Sequence, residues 1–182
     1  MSLTVVTDPF DPNCNSYVSV ADMDSYVSDR VVDSSVKTAW DALTDAHQAT
    51  YLVNATRTLD SLVQWIGDRY SRDQRLDWPR VNAYYDGFLL DQISFPIRVK
   101  EATCEMAIWA MQNNGVVSVI QQSAYDSIKV GPITVDFNEG SGISTNQYFP
   151  DNVALLLDGF GTVQNPNLPG QHVMKTVRLE RA

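Results

Sequence analysis

The chain has little of what most catalytic and metal chemistry needs. Among 182 residues there are two histidines and two cysteines. Neither His47 nor His172 has a second His, Cys or acid at ligand spacing with a matching partner, so no metal site is expected. Cys14 and Cys104 cannot build a disulfide framework, and a reducing compartment is the simpler reading. Cys104 falls on the expected core face of a helix, where a buried structural thiol is the default. Gly140-Ser141-Gly142 lacks both the strand-to-helix context and the following Lys of a phosphate loop. No Gly-x-Ser-x-Gly elbow occurs. The pairs Asp24/Asp29 and Asp73/Asp77 read as solvated cap and loop acids rather than as paired catalytic carboxylates. Asn54-Ala55-Thr56 matches a glycosylation acceptor by pattern alone. No catalytic residue, metal ligand or cofactor is expected, and the protein does not read as an enzyme.

Long apolar runs and surplus basic charge are also missing. No apolar stretch reaches the roughly 18 residues of a membrane span, so no membrane anchor is expected. Met1 to Asn15 shows no basic segment followed by an apolar one, which argues against a secretory signal. Thirteen Lys and Arg face 22 Asp and Glu, a net charge of −9, the wrong sign for a general nucleic-acid binder. Glutamate is scarce as well: 18 of the acids are Asp. Asp prefers helix starts and turns, so much of this charge belongs at caps and loops. It is also uneven. Residues 1–45 carry eight acids against Arg30 and Lys37, whereas the last eleven residues carry Lys175, Arg178 and Arg181 against Glu180.

What is present suits one ordinary domain. With 44% apolar residues and four tryptophans, a chain of this length should bury roughly 70% of its unfolded surface. Residues 1–15 have no periodic pattern and read as an extended N-terminal arm. Ser19 and Asp22 resemble a capping arrangement for a helix through about Arg30, with Val20, Met23 and Val27 on one face. A short helical piece carries Val36, Trp40 and Leu43. An amphipathic helix is predicted from Asp45 to about Ile66, on Leu52, Ala55, Leu59, Leu62, Val63 and Ile66, with Gly67 as its C-cap. Asp86-Gly87 marks a tight turn between short extended pieces. Ser94 and Pro96 open a helix to about Gln112, and another runs from Asp151 to about Asp158. Ser127–Val130 and Ile133–Phe137 alternate with period two around Gly131-Pro132, a hairpin. Asn165–Gly170 is a proline-broken linker before a possible terminal strand at Val173–Leu179.

The predicted fold is therefore mainly α: a small bundle of about four helices with a projecting β-hairpin and a C-terminal extended strand. Its parts are the arm 1–15, a domain over 16–163 holding the hairpin 125–137 and loop 138–149, and a linker and strand over 164–182. A lone hairpin or terminal strand needs a partner, either the other one in the same subunit or a neighbouring chain; both readings stay open. One further stretch stands out. Arg69, Arg72, Arg75 and Arg80 interleave with Trp65, Tyr70 and Trp78, a combination able to stack bases and hold phosphates. Asp68, Asp73 and Asp77 share the loop, and the mixed signs favour a salt-bridged structure or a protein interface. The candidate interface residues are Arg69, Arg72, Arg75, Trp78 and Arg80 in the loop, Ile128, Val130, Ile133 and Val135 in the hairpin, and Val173, Lys175, Val177 and Arg178 in the tail.

A resemblance covers roughly Ser16 to Arg181. It runs through Ser16-Tyr17-Val18-Ser19-Val20-Ala21-Asp22, Tyr26, Trp40, Ala55-Thr56-Arg57-Thr58-Leu59-Asp60, Trp65 and Gly67. Its most specific part is Trp78-Pro79-Arg80, Asp86-Gly87, Pro96 and Val99–Ala107, followed by Val130–Val135 and Pro150–Leu157. In order and spacing these segments resemble a family of tailed-bacteriophage head–tail connector, or adaptor, proteins. Part of that family carries the label of a DnaT-like single-stranded-DNA-binding protein, which is the alternative reading. The resemblance implies a mainly helical virion subunit, made in the host bacterial cytoplasm and located at the head–tail junction. It would form a ring of twelve copies under the portal protein and meet tail or other neck proteins. Double-stranded DNA would pass through without specific binding, and no catalytic residue is implied.

Overall fold

A computed structural model of the chain describes residues 3–113, 127–130, 133–136 and 150–163. Its first helix, α1 (Val20–Arg30), begins where the sequence places it. Ser19 accepts from the Asp22 backbone N–H while Asp22 accepts from the Ser19 N–H, a reciprocal capping box. Asp33 caps α2 (Ser34–Asp41) and Thr44 caps α3 (Asp45–Leu62), each through a side-chain oxygen on the first-turn backbone. The fourth helix, α4 (Ile97–Gln112), has Pro96 at its N-cap and not at the first helical position expected for it. A short α5 (Asp151–Leu156) completes the helices among the described residues.

The sequence-predicted bundle is present only in part, because strands interrupt it. The apolar stripe of α3 continues to Ile66, but the helix stops at Leu62 and β1 (Val63–Trp65) follows. There Val63, Gln64 and Trp65 pair antiparallel with β8 (Gly161–Val163), which no sequence signal had suggested. Val and Trp favour extended backbone, and a waiting partner strand outweighs the helical spacing of the last turn. Gly67 is accordingly not a helix cap. It has φ +68 in the turn from β1 to β2 (Asp68–Arg69), and a Cβ there would sit 2.5 Å from the Val81 carbonyl oxygen. β2 pairs with β3 (Arg80–Val81), closing residues 70–79 into a loop. β4 (Tyr84–Tyr85) and β5 (Phe88–Leu89) form the expected tight hairpin, with Asp86 and Gly87 at φ 50 and 81. Further on, β6 (Ser127–Val130) pairs antiparallel with β7 (Ile133–Asp136) in the register Val130↔Ile133 to Ser127↔Asp136. The terminal strand 173–179 lies outside the described residues.

The arm over residues 1–15 also differs from the extended segment expected, for from residue 3 onward it folds back on itself. The Val6 N–H donates to Asn15 Oδ1 at 2.9 Å, and the Asn15 N–H donates back to the Val6 carbonyl at 2.9 Å. This clasp doubles the segment on itself and places Cys14 in the core. Asp8 and Asp11 turn its tip by accepting from the Phe10 and Asn13 N–H groups.

The core gathers Tyr17, Val18, Met23, Val27, Trp40, Leu52, Leu59, Val99 and Met106, with Val153, Leu157 and Phe160 from the C-terminal elements. Helix α4 lies between α3 and α5 and also touches α1. Its acids tie that layer together. Tyr26 of α1 donates to Glu105 at 2.7 Å, Asn152 of α5 donates to the other Glu105 oxygen at 2.6 Å, and Arg30 pairs with Glu101 at 2.9 Å.

Candidate interaction surface

The arginine–tryptophan loop is built on a buried polar junction. Ser16 and Thr56 are fully buried, and the Tyr17 N–H donates to Thr56 Oγ1, fixing the segment Ser16–Val18 against α3. The Tyr17 hydroxyl then donates to Asp60 of α3 and accepts from the Trp78 N–H at 3.2 Å. The second Asp60 oxygen accepts from the Asp77 N–H at 3.2 Å. Burial pushes the Asp60 carboxyl up to about 6, partly offset by the Tyr17 hydrogen bond, and burial likewise raises the Tyr17 phenol well above its usual range. The backbone N–H groups at 77 and 78 thus both reach this junction, and the Trp78–Pro79 peptide bond that follows is cis.

With its base held, the loop directs part of its basic charge inward. Arg80 donates to the carbonyls of Ile66 and Gly67, both at 2.6 Å, and to that of Asp77. Arg69 donates to the Gln74 and Leu76 carbonyls and lies 3.6 Å from Asp77. Trp78 is 1% exposed and Trp65 is buried beside it, their rings 5.9 Å apart edge to face. Of the five loop residues expected at an interface, Trp78 therefore belongs to the core and Arg69 and Arg80 brace the loop. Arg72 and Arg75 are exposed and make no ion pair or hydrogen bond among the described residues. Tyr70 is exposed between them and the arm tip, with its ring 5.4 Å from Phe10, edge on. Arm and loop together enclose a cleft of about 230 Å³ lined by Pro9, Phe10, Tyr70, Arg75 and Pro79.

A second surface is apolar. Ten large hydrophobic side chains are exposed among the described residues, and five of them fall within residues 84–97: Tyr84, Phe88, Leu89, Ile93 and Ile97. Tyr84 and Leu89 are direct cross-strand partners of the β4–β5 hairpin. The hairpin is anchored from its other residue pair, since Tyr85 stacks on buried Phe160 at 4.8 Å and Arg98 sits over the Tyr85 ring at 4.9 Å. The turn is legible in Asp86-Gly87, but the surface it carries is not. Residues 84–97 hold eight large apolar side chains, and the sequence does not separate the five exposed ones from Tyr85, Leu90 and Phe95. A third surface is acidic: Asp22, Asp24, Asp29, Asp33 and Asp41 are exposed on and around α1 and α2. The two cations of the first 45 residues, Arg30 and Lys37, are paired with Glu101 and Asp41.

Of the hairpin candidates, Ile128, Val130, Ile133 and Val135 lie on paired strands in the register Ile128↔Val135 and Val130↔Ile133. Val173, Lys175, Val177 and Arg178 lie outside the described residues. Burial pushes the Cys14 thiol up to about 11 and the Cys104 thiol up to about 12, which suits structural rather than reactive thiols. Among the described residues no three His, Cys, Asp or Glu side chains are grouped to hold a metal ion, and no helix is long and apolar enough to cross a membrane.

The fold and its surfaces define a small helical protein with antiparallel strand pairs, whose exposed features are an apolar stretch, an acidic face and an aromatic cleft. The whole chain, residues 1–182, matches the family model described as "Putative DnaT-like ssDNA binding protein", and the chain belongs to that family. No curated protein and no solved structure matches it.

Proposed function

We propose that the protein is a structural virion component, a head–tail connector or adaptor that forms a ring under the portal, continues the DNA channel and joins head to tail. Support comes from the sequence resemblance together with one structural observation, the unpaired apolar stretch over Tyr84–Ile97. Large apolar side chains left exposed at this density along a short stretch suit a protein–protein contact. A closed ring needs two different complementary patches on each subunit, and this stretch supplies one. Its partners would be further copies of the chain, twelve in the ring, the portal protein and tail or other neck proteins. The acidic face over α1 and α2 suits a channel wall, because it repels phosphates and leaves passing duplex DNA to slide. The hairpin β6–β7 and the tail 172–182 remain proposed contact segments toward a neighbour or the portal. The test is co-sedimentation of the labelled chain with portal-bearing heads that lack it. Phe88→Asp combined with Ile97→Asp should lower binding by about tenfold or more while the melting temperature stays within a few degrees. Unchanged binding would remove the surface from the account.

A second reading, binding of single-stranded DNA, is favoured by the description of the family and by the exposure of Tyr70, Arg72 and Arg75 on one loop. Against it stands the burial of both tryptophans that would have stacked bases. A salt-titrated gel shift separates the readings, because phosphate binding weakens steeply as salt rises. Under the connector reading no such binding appears at near-physiological salt.

A further inference from the structure

We propose that Asp60 and Asp77 form a proton-controlled latch on the 70–79 loop: a protonated Asp60 keeps the loop base on α3, and its ionisation loosens that base by setting two carboxylates against each other. The inference goes beyond the assembly reading and does not depend on it. It concerns how firmly the chain presents Tyr70, Arg72 and Arg75, which are exposed on the loop.

The attachment of the loop is narrow. Among the described residues it hydrogen-bonds to the rest of the domain through the Asp77 N–H on Asp60 and the Trp78 N–H on the Tyr17 hydroxyl, each at 3.2 Å. Its other hydrogen bonds run within the loop or to Arg69 and Arg80 on the strands that close it, so they travel with it. The ring contact of Tyr70 with Phe10 joins two exposed side chains. Trp78 is 1% exposed and packs on Trp65 and Phe160. It anchors the far side of the base, and opening therefore starts at Asp77.

The charges across this boundary are matched in one protonation state. Asp60 is partly buried on α3, and Asp77 brings a second carboxylate toward it from the loop. Arg69 on β2 lies 3.6 Å from Asp77 but is itself 40% exposed, so solvent weakens the pair and the neutralisation is incomplete. From the remaining sides Asp60 meets the Tyr17 hydroxyl and the Trp65 indole of β1. Arg80 on β3 turns its guanidinium onto the Ile66, Gly67 and Asp77 carbonyls instead.

Burial, with the Asp77 charge adding to it, holds the Asp60 carboxyl up at about 6 in spite of the hydrogen bonds it accepts. Releasing the loop returns the carboxyl to water and toward its ordinary value of 3.8. Between these values the closed form keeps a proton that the open form has lost. Closure is therefore favoured at low pH, the preference fades as pH rises toward 6, and above that it is gone.

The test follows backbone amide exchange of the full chain by NMR from about pH 5 to about pH 8, corrected for the intrinsic rise of exchange with pH. The Asp77 amide should open about tenfold more often at the upper pH, the part of the 3.8-to-6 separation that lies above the starting point. This opening should be insensitive to low urea, as a local event is, whereas α4 amides such as Met106 should open with the urea slope of global unfolding. Asp60→Asn should make the Asp77 opening independent of pH. Asp77→Asn removes the facing charge and should lower the midpoint at which the Asp60 carboxyl carbon resonance titrates. The proposal is overturned if Asp77 exchanges with the urea slope of α4, or if its local opening in the parent chain ignores pH. An Asp60 midpoint unmoved by Asp77→Asn would overturn it as well.

Discussion

At the scale of single residues, the junction of Tyr17 and Asp60 decides whether the loop has a base. It joins the segment before α1, the middle of α3 and the turn into β3 through one hydroxyl and one carboxyl. Tyr17→Phe leaves the buried Trp78 N–H without its acceptor and should lower unfolding stability by roughly 1–3 kcal/mol, measured by urea titration. Asp60 also makes a pH signature. Its carboxyl sits at about 6 in the folded chain against 3.8 for the ordinary group, so the folded state holds a proton that the unfolded state releases. The stabilisation from this proton is present below about pH 4, is lost as pH rises toward about 6, and is gone above that. Asp60→Asn should flatten that part of the stability–pH curve by on the order of 3 kcal/mol, whatever uniform offset the substitution adds. An identical slope in both proteins would remove Asp60 as the source.

Aspartate usage is the part of this scale most legible in the sequence. Asp22 and Asp33 are at helix caps, Asp8, Asp11 and Asp91 turn loops by accepting backbone N–H groups, and Asp86 takes the positive φ of the tight turn. The bury-or-expose fate of the loop residues was not legible. Arg72 and Arg80 look alike in the sequence. Only the closure of β2 on β3 turns one outward and the other onto three carbonyls.

At the scale of elements, the helices were readable where caps and periodicity agree, and they failed where a distant partner intervened. Ser19 with Asp22 marked α1 and Asp86-Gly87 marked the β4–β5 hairpin because each signal is complete within a few residues. The end of α3 is not legible because Val63 and Ile66 keep the helical spacing, while their actual partners lie far along the chain in β8 and beside Phe160. The folding back of the arm is not legible because its clasp depends on one asparagine, Asn15, meeting Val6 and Thr4. Two glycines test this level. Gly67→Ala combines positive φ with contact against the Val81 and Ala83 backbone, and should cost roughly 2–4 kcal/mol. Gly87→Ala has the same sign of φ but nothing within 4 Å, so about 1 kcal/mol is expected. Thermal melts of the two variants should differ clearly; equal losses would mean that the β1–β2 turn is looser than its packing implies.

At the scale of the whole molecule, charge and apolar exposure are separated. Acid covers α1 and α2, apolar side chains stand out over residues 84–97, and the basic loop keeps two of its four arginines for its own carbonyls. This partition suits a subunit that adheres to proteins and lets DNA pass. It also sets the expectation for Arg72→Ala with Arg75→Ala: assembly onto portal-bearing heads should change by no more than about threefold if the apolar stretch is the principal contact. Loss of single-strand binding with assembly intact would instead move the function to the loop. The most direct measurement is electron microscopy of the labelled protein mixed with portal-bearing heads. The account predicts density for a ring of this chain beneath the portal, coaxial with its channel. Heads without that ring, together with salt-sensitive binding of the protein to single-stranded DNA, would contradict it.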